Sequence, residues 1–193
     1  IPQELGLGTE TWEGASWRGR GGGNAWSILS GDSRRGLVFV PTGSAFFDFY
    51  GGDRHGGNLF ANCVVAVEAK TGKHVWHFQT VRHDLWDYDV PAQPVLATLD
   101  HGRPLDAVAQ VSKTGFVYVL RRDTGRPVWP VEERAVPASD VPGELASSTQ
   151  PFPTAPPPFS KQGFTEADVS RLTPEAEALG REALAKYRSE GLF

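Results

Sequence analysis

The chain has 193 residues, with 19 Lys and Arg against 23 Asp and Glu, for a formal net charge of −4. Apolar residues at 39% and charged residues at 22% describe a globular chain with enough length for a sizeable core, not a disordered one. The mildly acidic balance excludes a nucleic-acid footprint, no aliphatic run spans a bilayer, and a lone Cys63 excludes disulfides and multi-cysteine metal clusters.

In chain order, the first regular element is the β-rich run Gly36-Leu37-Val38-Phe39-Val40-Pro41. It follows the turn-like Gly31-Asp32-Ser33-Arg34-Arg35. An internal repeat comes next. Residues 66–76, Ala-Val-Glu-Ala-Lys-Thr-Gly-Lys-His-Val-Trp, align without gaps with residues 119–129, Val-Leu-Arg-Arg-Asp-Thr-Gly-Arg-Pro-Val-Trp, at a spacing of 53. The shared residues are Thr71-Gly72 with Thr124-Gly125, and Val75-Trp76 with Val128-Trp129. A β-rich run precedes each turn, at residues 63–67 and 115–120, so each copy reads as a β-hairpin ending in Trp. Repeats of this length with periodic Gly and aromatic positions point to propeller blades, and the Trp is placed to wedge between neighbours.

The 22 glycines and 15 prolines favour turns over long helices. Residues 135–163 are rich in Pro and are expected to be extended or looped, an ordered excursion across the propeller face. From Thr165 the pattern turns helical. Thr165 with Asp168 forms a capping box, and Thr173-Pro174-Glu175 supplies an N-cap, a Pro at the first helical position and early acid. Leu179, Ala183 and Tyr187 recur at helical spacing. The expected divisions are 1–134 for the blades, 135–163 for the excursion and 164–193 for the helical segment. Few blades in an open arc leave unpaired faces. With no Met and an Ile1-Pro2 start, the chain is expected to be an internal piece of a longer product.

The stretch from Trp76 to Pro94, containing Arg82-His83-Asp84-Leu85-Trp86-Asp87-Tyr88-Asp89, resembles the pyrroloquinoline quinone (PQQ)-dependent dehydrogenases. The likeness is to their membrane-bound glucose dehydrogenase-like branch. Gly51-Gly52-Asp53-Arg54, Asn58-Leu59-Phe60-Ala61-Asn62, Ser112-Lys113-Thr114-Gly115, Pro130-Val131-Glu132-Glu133-Arg134 and Thr149-Gln150-Pro151-Phe152-Pro153 carry the same resemblance. It implies an all-β fold: part of an eight-bladed β-propeller, about three blades, with the Pro-rich excursion and a C-terminal helical segment.

Oxidising an alcohol or aldose by hydride transfer to a quinone needs a carboxylate base and a Lewis-acid cation. It also needs a flat apolar surface for the cofactor and a cationic donor to its oxygens. By resemblance, Asp87 is the base and a metal ligand, Lys113 contacts the quinone oxygens, and Trp26 stacks on its ring. Gly21 to Gly23 then allow close backbone approach. Ser44 stands where methanol dehydrogenase-like members place a metal-ligating Asn, and a hydroxyl is the poorer ligand for a hard cation. Asp84 and Asp89 read as turn or supporting groups, Asn58 and Asn62 as loop hydrogen-bonders, His83 and His55 as candidates for the substrate mouth, and Cys63 as buried and inert.

The implied cofactors are PQQ with Ca2+ or Mg2+; an acid at Asp89 is weak evidence for a lanthanide. The implied partners are a small alcohol or sugar and an electron acceptor such as ubiquinone or a cytochrome, at the periplasm or the periplasmic face of the inner membrane. The isolated piece, lacking the rest of the axis, is expected to bind PQQ weakly or not at all. The alternative is a non-catalytic propeller scaffold of the outer-membrane assembly type, which keeps the Trp repeats and has no use for the other motifs. An NAD-linked enzyme is disfavoured, because no βαβ alternation is present.

Overall fold

The protein was analysed as a computed structural model, which describes residues 6–19, 21, 23–100 and 102–193. Strands β1 (Ser30–Asp32), β2 (Leu37–Pro41), β3 (Cys63–Glu68) and β4 (His74–Gln79) form one antiparallel four-stranded meander. Strands β5 (Val95–Asp100), β6 (Pro104–Val111) and β7 (Val117–Arg121) form a second sheet. Strands β8 (Val131–Ala135) and β9 (Thr149–Pro153) pair as a ribbon. The three sheets are open, as a partial propeller requires.

Side-chain size sets how the first sheet packs. Across β2, β3 and β4 the register places Phe39, Ala66 and Trp76 side by side. The small Ala66 leaves room for the flanking rings to meet over it, with centroids 5.7 Å apart. This face, with Leu37 and Val64, packs against Val108, Tyr118 and Leu120 of the second sheet and Phe116 of the turn before β7 to make the main core. Tyr118 is buried and donates its hydroxyl to the carbonyls of Pro151, at 2.9 Å, and Thr80, at 3.2 Å. It thereby ties the ribbon to both sheets.

The repeat is visible as geometry. In both copies the glycine N–H reaches back four residues at 2.8 Å, Gly72 to Glu68 and Gly125 to Arg121. Both glycines take positive φ, 71° and 68°. Trp76, 6% exposed, lies flat on the second turn and donates its indole N–H to the carbonyl of Arg122 at 3.1 Å. A Cβ on Gly125 would sit 2.5 Å from the indole ring, so only glycine admits this docking. The expected wedge between blades is therefore present. An ionic clasp accompanies it: Arg122 donates to Asp32 of β1 at 3.1 Å, and Arg35 bridges Asp32 and Asp106.

The second hairpin departs from the first. Its outgoing arm is reduced to a bridge between Leu120 and Pro127, with Val128 N–H bonding the carbonyl of Val119 at 2.8 Å. Pro127 and Pro130 lack the N–H groups that a continuing ladder needs. Strands β5 and β6 were not among the expected elements.

Beyond β9, Thr165 and Asp168 make the expected capping box around a short 3-10 turn at Glu166–Asp168. Helix α1 (Pro174–Leu184) is capped by Thr173, whose hydroxyl accepts the N–H of Ala176 at 3.1 Å. Gly180 sits against Val169, where a Cβ would be 2.7 Å from a methyl. Leu179 is exposed, and Tyr187 lies past the end of α1. Among the described residues no helix is long and apolar enough to cross a membrane.

Candidate active site

The loop after β4 is shaped by Asp84, which is buried. Its Oδ1 accepts the N–H of Trp86 at 2.9 Å, and its Oδ2 accepts that of Tyr88 at 2.7 Å. The Ser44 hydroxyl and the Asn62 amide (2.8 Å) also donate to Oδ2. Burial pushes the Asp84 carboxyl up from its ordinary value, and these four donors pull back. With both ends of the turn pinned to one carboxylate, Asp87 at its apex takes φ 60°. An Asp tolerates that left-handed conformation better than most residues.

Asp87 meets Lys113, which arrives on the tight turn between β6 and β7. The Lys113 ammonium lies 2.7 Å from Asp87 Oδ2 and 2.7 Å from Asp89 Oδ2. Asp89 is held on its other side by the Ser44 backbone N–H, 2.6 Å from Oδ1. Burial and then the neighbouring Asp89 charge hold the Asp87 carboxyl above its ordinary value, against the pull of Lys113. Asp89 goes the other way: burial opposes its charge, but Lys113 and the Ser44 N–H keep it below its ordinary value. Burial draws the Lys113 pKa down, and the two carboxylates more than reverse it.

Trp26 comes from the N-terminal segment, laid against the end of β2 by a run of backbone bonds. Gly23 N–H donates to Ser44 O at 2.8 Å, and Gly43 N–H to Asn24 O at 3.1 Å. Gly23, at φ 61°, passes 3.5 Å from the backbone of Ala61 measured from an added Cβ; Gly22 lies outside the described residues. At Gly43 an added Cβ would fall 2.6 Å from Asp89 Oδ1 and 3.1 Å from the Trp26 ring nitrogen. That glycine is what lets Trp26 and Asp89 share one spot. Trp26 keeps 56% of its surface exposed.

The result is one open pocket of about 400 Å³, lined by Asn24, Trp26, Ser44, Phe46, Asp48, Asp87 and Asp89. Trp26, Ser44 and Asp87 thus converge on it, with Lys113 clamped to its two carboxylates. His83 does not line it: it is buried beside Asn58, with its pKa drawn down to about 4 by burial and then by the Arg54 charge. His55 faces Gly143 and Glu13 instead. Sequence reasoning passed over Arg54. Its side chain is fully buried and donates to the carbonyls of Phe47 (3.0 Å) and Asp84 (2.6 Å) and to Asn58 (2.7 Å). It had shown only as one letter of Gly-Gly-Asp-Arg.

A flat cofactor fits this donor set: an exposed indole face and a carboxylate border the same space, and an ammonium is paired to that carboxylate. For a cation the described residues offer no complete ligand set of their own. Among the described residues no three His, Cys, Asp or Glu side chains are placed to hold a metal. The Ser44 hydroxyl is committed to Asp84 and to the Asn62 amide, 3.1 Å away.

Comparison with known proteins gives the same direction. The family model for the PQQ glucose/ethanol/alcohol dehydrogenase β-propeller domain matches residues 2–193. The glycerol dehydrogenase large subunit of Gluconobacter oxydans is 39% identical over 178 residues, 90% of this chain and 24% of that protein. Quinoprotein glucose dehydrogenase A of Acinetobacter calcoaceticus is 44% identical over 137 residues, 67% of this chain and 17% of that protein. The crystal structure of quinohemoprotein alcohol dehydrogenase from Comamonas testosteroni superposes with a TM-score of 0.62 at 27% identity, covering 80% of this chain and 23% of that one. The chain therefore spans about a quarter or less of the length of these relatives. With its open propeller sheets and its match to the family model over nearly every residue, it belongs to the PQQ-dependent glucose/ethanol/alcohol dehydrogenase β-propeller family.

Proposed function

We propose that this chain forms part of a quinoprotein dehydrogenase that oxidises an alcohol or aldose at the pocket between Trp26 and Asp87. The observation that carries the reading is that Trp26 and Asp87, from distant parts of the chain, line one pocket, with the Lys113 ammonium paired to Asp87 at 2.7 Å. PQQ, when bound, supplies an electrophilic carbonyl that accepts the hydride. Trp26 offers its exposed face to the cofactor ring. Lys113, held by Asp87 and Asp89, would supply the positive charge for the quinone oxygens, where negative charge develops. Asp87 takes the hydroxyl proton at Oδ1 or Oδ2, its carboxyl already raised toward a useful basicity by burial. Asp89 and Ser44 hold the partners in place. No metal step is derived from the residues at hand; Ser44 is assigned to Asp84 rather than to a cation.

The electron acceptor, a quinone or a cytochrome, and a periplasmic setting are proposed from the family alone. A scaffold role shares the Trp76 docking but has no use for the pocket. The test is Asp87→Asn in the full-length enzyme. Turnover of an alcohol or aldose with a dye acceptor is expected to fall by about 10³-fold or more while PQQ still binds. Retained turnover sinks the assignment of the base, and a wild-type protein that fails to bind PQQ favours the scaffold.

A further inference from the structure

We propose that Asp48 accepts a hydrogen bond from a second hydroxyl of the substrate, and so favours polyols and sugars over simple alcohols. The proposal rests on the catalytic reading of Asp87 given above. Asp48 lies in the loop between β2 and β3 and lines the same pocket as Asp87. It is half-buried, and among the described residues its carboxylate takes part in no hydrogen bond or ion pair. Phe46, two residues earlier, lines that pocket as well and is 46% exposed.

An acceptor carboxylate beside an exposed aromatic face suits a polyol. The carboxylate has lone pairs for an O–H, and the ring covers the apolar C–H side of the carbon chain. A monohydric alcohol spends its single O–H on Asp87 and leaves Asp48 without a partner. In this open pocket water then meets Asp48, so the monohydric alcohol is not repelled but lacks the charge-assisted hydrogen bond that a polyol gains.

The distance between the two acids is fixed from within the protein. The guanidinium of Arg54, 0% exposed, donates through Nη2 to the carbonyl of Phe47 at 3.0 Å and to that of Asp84 at 2.6 Å. One buried side chain thus ties the peptide preceding Asp48 to the turn that carries Asp87. A binding group held this way loses little freedom when substrate arrives.

The experiment compares glycerol with 1-propanol, which have equal carbon chains and different hydroxyl counts, in the full-length PQQ-loaded enzyme. Wild type is expected to favour glycerol. In Asp48→Ala the kcat/KM for glycerol should fall at least tenfold further than that for 1-propanol, mainly through KM. Asp48→Asn, whose amide oxygen still accepts, should recover part of the difference. PQQ stoichiometry, read from cofactor absorbance, should match wild type in both variants. Equal losses on both substrates, an unmoved ratio, or a wild type that prefers 1-propanol would overturn the role of Asp48. A wild type that binds no PQQ and oxidises neither alcohol removes the catalytic reading and the proposal together; normal turnover with an unmoved ratio removes Asp48 alone.

Discussion

Lys113 holds its ammonium 2.7 Å from Asp87 and, by the same atom, 2.7 Å from Asp89. The two acids have different duties in this arrangement. Asp89 is also bound to the Ser44 backbone, so it anchors the lysine, while Asp87 sits on a turn apex facing the pocket. Lys113→Ala is expected to weaken PQQ binding by at least tenfold in the full-length protein. Equilibrium dialysis, or quenching of tryptophan fluorescence by added PQQ, reads the loss. Unchanged affinity would mean that the lysine serves only the carboxylates.

Gly43 offers a test of the same site from beneath. Gly43→Ala puts a methyl carbon into the space of Asp89 Oδ1 and the Trp26 ring nitrogen. The variant is expected to keep its far-ultraviolet circular dichroism yet bind PQQ more weakly, because both neighbours must move. Full PQQ affinity in a folded Gly43→Ala protein would show that Trp26 does not support the cofactor.

The two Thr-Gly turns make an internal control. Gly72 and Gly125 have nearly equal φ, but an added Cβ meets open space at Gly72 and the Trp76 indole at Gly125. Gly72→Ala should therefore cost about 1 kcal/mol, the left-handed penalty alone. Gly125→Ala should cost about 3 kcal/mol or more, since overpacking adds to that penalty. Urea midpoints of the two variants measure the difference, and equal midpoints would deny the docking any energetic role.

Acid should loosen the clasp between sheets. Burial works against the Asp32 charge, but Arg122 and then Arg35 hold its carboxyl down to about 2, from 3.8. The folded value is the lower one, so this contribution is present above about pH 4 and fades as pH falls toward 2. Asp32→Asn should cost about 1–2 kcal/mol at pH 7, and less at pH 3. A stability gap between wild type and variant that stays constant from pH 7 to pH 3 would contradict the ionic account.

The sequence made some of this legible and hid the rest for physical reasons. The first hairpin was readable because Thr71-Gly72 and Trp76 are constrained by the turn and the docking, and the copy at Thr124-Gly125 repeats both constraints. Strand β5 was missed because it is exposed or half-buried throughout, and β6 because its buried positions run together at Ala107-Val108 and include the polar Gln110, which blunts the alternation of apolar and polar residues. Trp26, Asp87 and Lys113 were singled out through resemblance, since nothing local to the sequence sets them apart from a packing Trp, a turn Asp and a surface Lys. Arg54 escaped notice for the opposite reason. A buried arginine without a directly paired carboxylate runs against the usual fate of arginine, and its partners are two backbone carbonyls and the Asn58 amide oxygen, which no charge pattern reveals. Cys63, expected to be buried and inert, is 0% exposed, and burial pushes its thiol well up.

The contact between Trp76 and Gly125 joins unlike surfaces, an indole on one unit and a bare turn on the next. Such a head-to-tail join has a polarity, and repeating it at a constant rotation closes a ring whose membership is counted by angle alone. The count is then written in residues that do not line the pocket. Side chains that take no part in this join can change without altering it.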